Sequence, residues 1–171
     1  NLQLVATDGY RLAHKTVGSL EDVSFKALVP RRTFEEVVRL IGEDEADQVK
    51  ISTSDDQNQI IFSFGQTEVS SRLIEGQFPA WEKIIPSEMK ARIIVNRADL
   101  LQAVKLASVF AKGEANIVKL ANETGKLILS SEAKELGSQK KEVEAEVEGE
   151  AIQIAFNTKY LQEALAAIGT S

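Results

Sequence analysis

The chain has 171 residues, with 20 Lys and Arg against 26 Asp and Glu for a formal charge of -6, 43% hydrophobic residues, one His and no Cys. That length makes one domain or two small ones with enough chain for a real core, and the ordinary apolar content excludes a disordered acidic tail. No apolar run approaches the ~20 residues of a membrane helix, and the lack of cysteine removes disulfide scaffolds, thiolate metal sites and thiol nucleophiles together. These features read as a soluble cytoplasmic protein.

Residues 2–7 alternate apolar and polar like a strand, with no signal-peptide pattern before them. The other end, residues 166–171, falls where a helix finishes, so the chain reads as part of something longer. Between these ends one pattern recurs at Val29-Pro30-Arg31-Arg32, Val95-Asn96-Arg97 and Phe156-Asn157-Thr158-Lys159. Each has an apolar strand-like residue, a helix starter, a basic residue and then an amphipathic helix. Asn suits the cap because its side chain accepts from an unpaired helix N–H, and Pro suits a first turn that needs no N–H. The starts at 29, 95 and 156 are 66 and 61 residues apart, which suggests a repeated supersecondary unit.

After the first helix, residues 49–53, 59–64 and 67–74 read as strands; after the second, 117–120, 126–131 and 141–147 do, with Val143, Ala145 and Val147 on one face. Turn-rich connectors separate them, at residues 55–58, 64–66 and 122–125. The unit is therefore one strand, one helix and three antiparallel strands, and the class is α+β. Pro79 and Pro86 bracket a linker over residues 78–92.

The charge divides unevenly along the sequence. Residues 30–41 sum to +1, 96–112 to +2 and 157–168 to zero, leaving -9 for the rest. Helical periodicity turns Phe34, Val37, Val38 and Ile41 of the first helix inward, with Arg32, Glu36 and Arg39 outward. In the second, Leu100, Leu101, Val104 and Ala107 face in, and Gln102, Lys105 and Lys112 face out. By itself a charged helix face is ordinarily a solvated surface; the functional reading is a surface that meets phosphates with Lys and Arg and reads no bases.

Catalytic chemistry is thin. His14 is the single histidine, on the polar side of a strand, and reads as surface. Asp55 and Asp56 share a turn without a nearby His or calcium-loop spacing, so a hydrolase built on them is a weak third reading. Glu142, Glu144, Glu146, Glu148 and Glu150 fall at period two and read as the solvated face of a sheet.

The stretch Ala6-Thr7-Asp8-Gly9-Tyr10-Arg11-Leu12-Ala13 resembles the bacterial DNA polymerase III beta subunit family, the replicative sliding clamps. Similar in the same order are Val29-Pro30-Arg31-Arg32 and Ser71 to Pro79 with Trp81 and Ile85-Pro86. Asn96-Arg97 to Leu101 and Phe156-Asn157 with Tyr160-Leu161 complete the set, so the resemblance covers essentially the whole chain.

The resemblance implies a DNA-clamp fold of strand-helix-strands half-domains, with helices on one face of the sheets. Residues 1–86 would be the later portion of the second domain and 87–171 the beginning of the third. It implies a non-enzymatic processivity factor without cofactor or metal, closed as a homodimer ring around duplex DNA. Arg31, Arg32, Arg39, Lys105 and Lys112 would face the DNA. Its partners would be the DNA polymerase III alpha subunit, the clamp loader and repair proteins, docked by short peptides with apolar anchors in a cleft. Thr7, Gly9, Tyr10, Arg11 and Leu12 match one wall of that cleft, and Pro79, Lys83 and Ile84 another. Leu12, Pro79 and Ile84 would supply the apolar floor, and Arg11 with the Tyr10 hydroxyl would orient a peptide backbone. Position 10 is Tyr where some members have His, and position 83 is Lys where some have Arg; the family's cleft is completed by residues that this chain lacks. The rival reading is a β-rich interaction module that binds no DNA.

Overall fold

The computed structural model describes residues 1–18, 25–44, 46–112, 116–133 and 137–169. Residues 170 and 171, part of the expected helix end, lie outside the described residues. The chain divides into two compact units, one of residues 1–6 and 13–85 and the other of residues 7–12 and 86–171.

A hairpin opens the chain, pairing β1 (Leu2–Thr7) with β2 (Leu12–Val17). The rest of the first unit is α1 (Arg31–Asp44) against an antiparallel sheet of β3 (Lys50–Thr53), β4 (Gln59–Phe64) and β5 (Thr67–Arg72). Strand β4 alternates as its sequence dictates, burying Ile60, Phe62 and Phe64. Val37 of α1 packs on that face, and the Phe34 ring meets Phe62 edge-on at 5.7 Å. Burying these side chains is worth roughly 1.5–3 kcal/mol each, which outweighs any local propensity.

Two expectations fail in α1. Val38 is 69% exposed, and Thr33 is buried in its place with its hydroxyl 2.7 Å from Ser71 Oγ. The packed face centres on Val37, and Val38 lies about 100° round the helix from it. The helix also runs past Gly42 to Asp44, where the Asp44 carboxylate accepts a 2.7 Å bond from the Thr67 hydroxyl. In addition, Val29 lies outside any strand; beside it the Leu28 carbonyl accepts from Ile74 N–H at 2.8 Å.

The division between the units, at Ile85 and Pro86, falls within the expected linker. Trp81–Lys83 form a single 3-10 turn, and the next strand already begins at Ala91.

In the second unit β6 (Ala91–Val95), α2 (Arg97–Ala111), β7 (Ile117–Glu123), β8 (Lys126–Ala133) and β9 (Gly137–Gly149) realise the expected unit in full. The strand β10 (Gln153–Asn157) and helix α3 (Thr158–Ala167) start the next one. The sheet order is β10-β7-β8-β9-β6, antiparallel throughout. Helix α2 is capped by Asn96, whose Oδ1 accepts from the N–H groups of Ala98 and Asp99 at 2.8 and 3.2 Å; Asn157 caps α3 in the same way through Lys159 N–H at 2.9 Å. Ala103, Val104 and Ala107 of α2 meet Val118, Leu120, Leu127, Leu129 and Val143 of the sheet, with Leu165 of α3 closing the core. Arg97 ties the two helices by donating to the Leu165 carbonyl at 2.9 Å.

Asn122 and Glu123 belong to β7, and the turn is confined to Thr124 and Gly125. Asn122 is buried because its amide is used up: it accepts from Ile152 N–H at 2.6 Å and donates to the Glu150 carbonyl at 3.0 Å. Strand β9 carries its glutamates at period two on the solvent side, as expected, while Val143, Ala145 and Val147 turn inward. At its end Gly149 has a φ of +96°, and any Cβ there would strike the Lys90 carbonyl.

Leu129 is fully buried on the central strand, so Leu129→Ala is expected to destabilise the second unit by about 2–5 kcal/mol. Val38→Ala in the first is expected to change stability by less than about 0.5 kcal/mol. Urea unfolding of the two variants checks the packing; comparable losses would contradict the assigned faces.

Candidate functional site

The Thr7–Leu12 segment is a turn built by its own side chains. Thr7 Oγ1 donates to the Arg11 carbonyl at 2.8 Å and accepts from Gly9 N–H at 3.1 Å. Asp8 Oδ1 accepts from the N–H groups of Tyr10 and Arg11 at 3.0 and 3.1 Å, an Asx-type arrangement that Asp favours. Gly9 sits at φ +87°, where a side chain would be strained. The result is an exposed knuckle with Tyr10 84% exposed at its tip and Leu12 half-buried at its base.

Within the same unit, α3 braces this turn. Arg11 Nη1 donates to Glu163, its Nε donates to Asp8 Oδ2 at 3.0 Å, and its guanidinium carbon stands 4.7 Å from the Tyr160 ring centre. That distance is within cation–π range. The Tyr10 and Tyr160 rings lie 6.3 Å apart. The Glu163 carboxylate, followed by Asp8, raises the Arg11 pKa above its ordinary value and keeps the guanidinium charged. Sequence reasoning missed the part played by Tyr160 and Glu163: Glu163 lies 152 positions from Arg11, and the signal was only that Tyr160 and Glu163 fall one turn apart on an Asn-capped helix.

The other group lies in the first unit. Trp81 N–H donates to the Pro79 carbonyl at 2.7 Å and Ile84 N–H to the Trp81 carbonyl at 3.0 Å, which fixes the backbone over residues 79–84. Pro79, Lys83 and Ile84 are exposed, Ile84 by 63%. His14 of β2 stacks its ring 4.5 Å from Trp81, an aromatic contact and not a catalytic arrangement.

The cations proposed to face phosphate fall into two classes. Arg31 pairs with Glu35 at 2.8 Å, and Arg39 sits between Glu36 at 3.0 Å and Glu43 at 2.7 Å. Those carboxylates, Glu36 foremost, raise the Arg39 pKa. Arg32, Lys105 and Lys112 are exposed and make no ion pair among the described residues. The expectation that the helices are basic is therefore corrected. Because α1 continues to Asp44, it holds Arg31, Arg32 and Arg39 against Glu35, Glu36, Glu43 and Asp44, a net of -1. Helix α2 has Arg97 and Lys105 against Asp99, and α3 balances Lys159 against Glu163. Together the three helices are neutral. The outward face of α2 also presents Leu106 and Val109, 45% and 51% exposed, beside Lys105.

Asp56 accepts from Ser54 Oγ and Asn58 Nδ2, both at 2.5 Å, and these bonds, Ser54 first, lower its pKa. Its oxygens serve the turn. Among the described residues no group of three His, Asp or Glu is placed to hold a metal, and no helix is long and apolar enough to cross a membrane.

A strand, an Asn-capped helix and three antiparallel strands in the second unit, and a helix on a three-stranded antiparallel sheet in the first, define an α+β protein of the clamp type. The family model described as DNA polymerase III beta subunit, central domain, matches residues 1–80, and that described as DNA polymerase III beta subunit, C-terminal domain, matches residues 82–171. The Beta sliding clamp of Synechococcus elongatus is 35% identical over 178 residues, covering 99% of this chain and 46% of that protein. That of Staphylococcus aureus is 34% identical, covering 95% and 43%. Among solved structures, the DNA polymerase III subunit beta from Pseudomonas aeruginosa superposes with a TM-score of 0.88 at 28% identity, over 97% of this chain and 45% of that one. A sliding clamp from Bartonella birtlesii bound to griselimycin gives 0.86 at 32%, over 98% and 45%. The chain belongs to the DNA polymerase III beta subunit family. It spans about half the length of the relatives it matches.

Asp8 supplies a test of the turn. Its accepted bonds, the Tyr10 N–H foremost, hold its carboxyl below the ordinary aspartate value of about 3.9. A depressed folded pKa means that the turn's stabilisation is present above the ordinary value and lost as pH falls through the lower one. In an NMR titration the Tyr10 and Arg11 amides are expected to move with a midpoint below about 3.9, and Asp8→Asn to abolish that step. A midpoint at or above the ordinary value would contradict the geometry.

Proposed function

We propose that this chain is a working part of a replicative sliding clamp. In this reading the protein is a non-enzymatic processivity factor of DNA replication. It encircles duplex DNA as a homodimer ring, works in the cytoplasm and needs no cofactor. It tethers the DNA polymerase III alpha subunit and receives the clamp loader and repair proteins through peptide motifs. Residues 1–86 belong to its second domain and 87–171 to its third, a division supported by family matches over residues 1–80 and 82–171.

The observation that carries the docking role is the braced Thr7–Leu12 turn. Its backbone is fixed by Thr7 and Asp8 and its arginine by α3, while Tyr10 stands clear in solvent. We assign peptide docking to Thr7, Gly9, Tyr10, Arg11 and Leu12, and the resemblance adds Pro79, Lys83 and Ile84 to the assignment. Exposed Ile84 and Pro79 supply apolar surface for a Leu or Phe anchor, and the turn supplies polar groups that orient a strand-like peptide.

Sliding calls for contacts that are individually weak and indifferent to sequence, which cations opposite phosphates provide. Of the five assigned cations, Arg32, Lys105 and Lys112, which have no ion pair among the described residues, are the stronger phosphate partners. Arg31 and Arg39 contribute less, since breaking an existing pair offsets part of any new one.

The test separates a clamp from an interaction module. Duplex DNA binding by this chain at low salt is expected to weaken as salt rises. Changing Arg32, Lys105 and Lys112 to Glu is expected to flatten the plot of log affinity against log salt by about 0.9 for each phosphate no longer neutralised. Arg31→Ala and Arg39→Ala are expected to flatten it less. A slope that does not respond to the triple change would favour the module.

A further inference from the structure

Arg11 is the residue of the docking turn with the most elaborate support. Asp8 holds its Nε from within the turn, whereas Glu163 and Tyr160 reach it from α3. The other Glu163 oxygen lies 4.0 Å from Lys159 Nζ, so the carboxylate bridges a cation on its own helix and the turn's arginine. The Arg11 side chain nonetheless remains 43% exposed. A guanidinium clamped on three sides and still reachable by a ligand is arranged for recognition more than for packing, since exposed ion pairs by themselves add little to stability.

We propose that Glu163 is a positioning residue for peptide docking: it fixes the Arg11 guanidinium against Tyr160 before a peptide arrives. The inference rests on the docking reading above. A long side chain that is free in the unbound protein loses rotamer freedom when a ligand immobilises it, and that loss weakens binding. Arg11 has already given up this freedom, because the planar fork of its guanidinium is satisfied on two carboxylates and its face rests on a ring. The remaining donors then meet a peptide at a set position. Removing the Glu163 carboxylate leaves Asp8 and Tyr160 in place but frees the Nη1 end, so the arginine must be ordered by the peptide instead.

The test is a double-mutant cycle on this chain, read by fluorescence anisotropy with an acetylated, amidated Gln-Leu-Ser-Leu-Phe peptide carrying an uncharged dye. The peptide has no charge, so loss of a carboxylate does not change its long-range attraction. Glu163→Gln is expected to raise Kd about three- to tenfold, with Glu163→Asp intermediate. In an Arg11→Ala background Glu163→Gln is expected to have no further effect, because it acts through the arginine. An unchanged Kd for Glu163→Gln, or an equal loss with and without Arg11, overturns the proposal. A second readout needs no peptide: the Arg11 Nη1–H resonance is expected to be protected from solvent exchange in the parent chain and to lose that protection in Glu163→Gln, while Nε–Hε stays held by Asp8. Protection that survives overturns the positioning role on its own. A parent chain with a protected Arg11 that binds no peptide overturns the docking reading itself, and the role assigned to Glu163 with it.

Discussion

One interaction recurs and everything else hangs from it: an amphipathic helix laid across one face of an antiparallel sheet, with aliphatic and aromatic side chains between them. In the second unit Val104 and Ala107 close on Val118 and Leu129, all four with no measurable exposure. In the first, Val37 closes on Ile60, Phe62 and Phe64. Because the helix must seat on the sheet, its opposite face is obliged to point to solvent, and the reverse face of the sheet likewise. That division sends Lys105 out from α2 and the glutamates out from β9. Asn caps and Arg97 then hold the ends of α2 and α3, and α3 in turn holds the Thr7–Leu12 turn. Function here is carried by surfaces whose orientation is a by-product of core packing.

The pattern of charge is subtler than basic helices set against acidic strands. Ion pairs along α1 neutralise two of its three arginines, and Glu43 and Asp44 make the helix net acidic. If the chain is part of a clamp, a surface that holds DNA while letting it slide has to avoid strong local contacts. Along α1, Arg31 and Arg39 with carboxylate partners on either side of Arg32 would meet that requirement, whereas a continuous basic stripe would bind and hold. The apolar residues beside Lys105 on α2 would act in the same direction, since they add no attraction for phosphate.

Much of the fold was legible in the sequence because its signals were local. Strands β4 and β7 to β9 announce themselves by period two, and Asn96 and Asn157 mark helix starts within one residue. The glutamates of β9 point where alternation puts them. The departures have physical causes. The first helix runs beyond the stretch 30–41 counted from the sequence: Gly42 costs about 1 kcal/mol in a helix interior, but Thr67 at the start of β5 hydrogen-bonds Asp44 and the helix continues. Val38 looks like core because it is apolar and correctly spaced, yet the packed face is centred on Val37. Asn122 looks like a turn residue because Asn favours turns, and becomes a buried strand residue once Glu150 and Ile152 satisfy its amide. The turn at residues 7–12 was recognisable from its motif, but its brace was not. No local pattern connects Arg11 to Glu163, and only the fold brings them together.

The most direct test of the central claim is fluorescence anisotropy of a labelled Gln-Leu-x-Leu-Phe peptide with this chain, beside the Leu12→Ala/Pro79→Ala variant, with circular dichroism confirming that both are folded. If the chain carries the docking surface of a sliding clamp, the parent binds in the micromolar range and the variant loses at least tenfold, about 1.4 kcal/mol. Equal affinity in the parent and a folded variant would contradict the account.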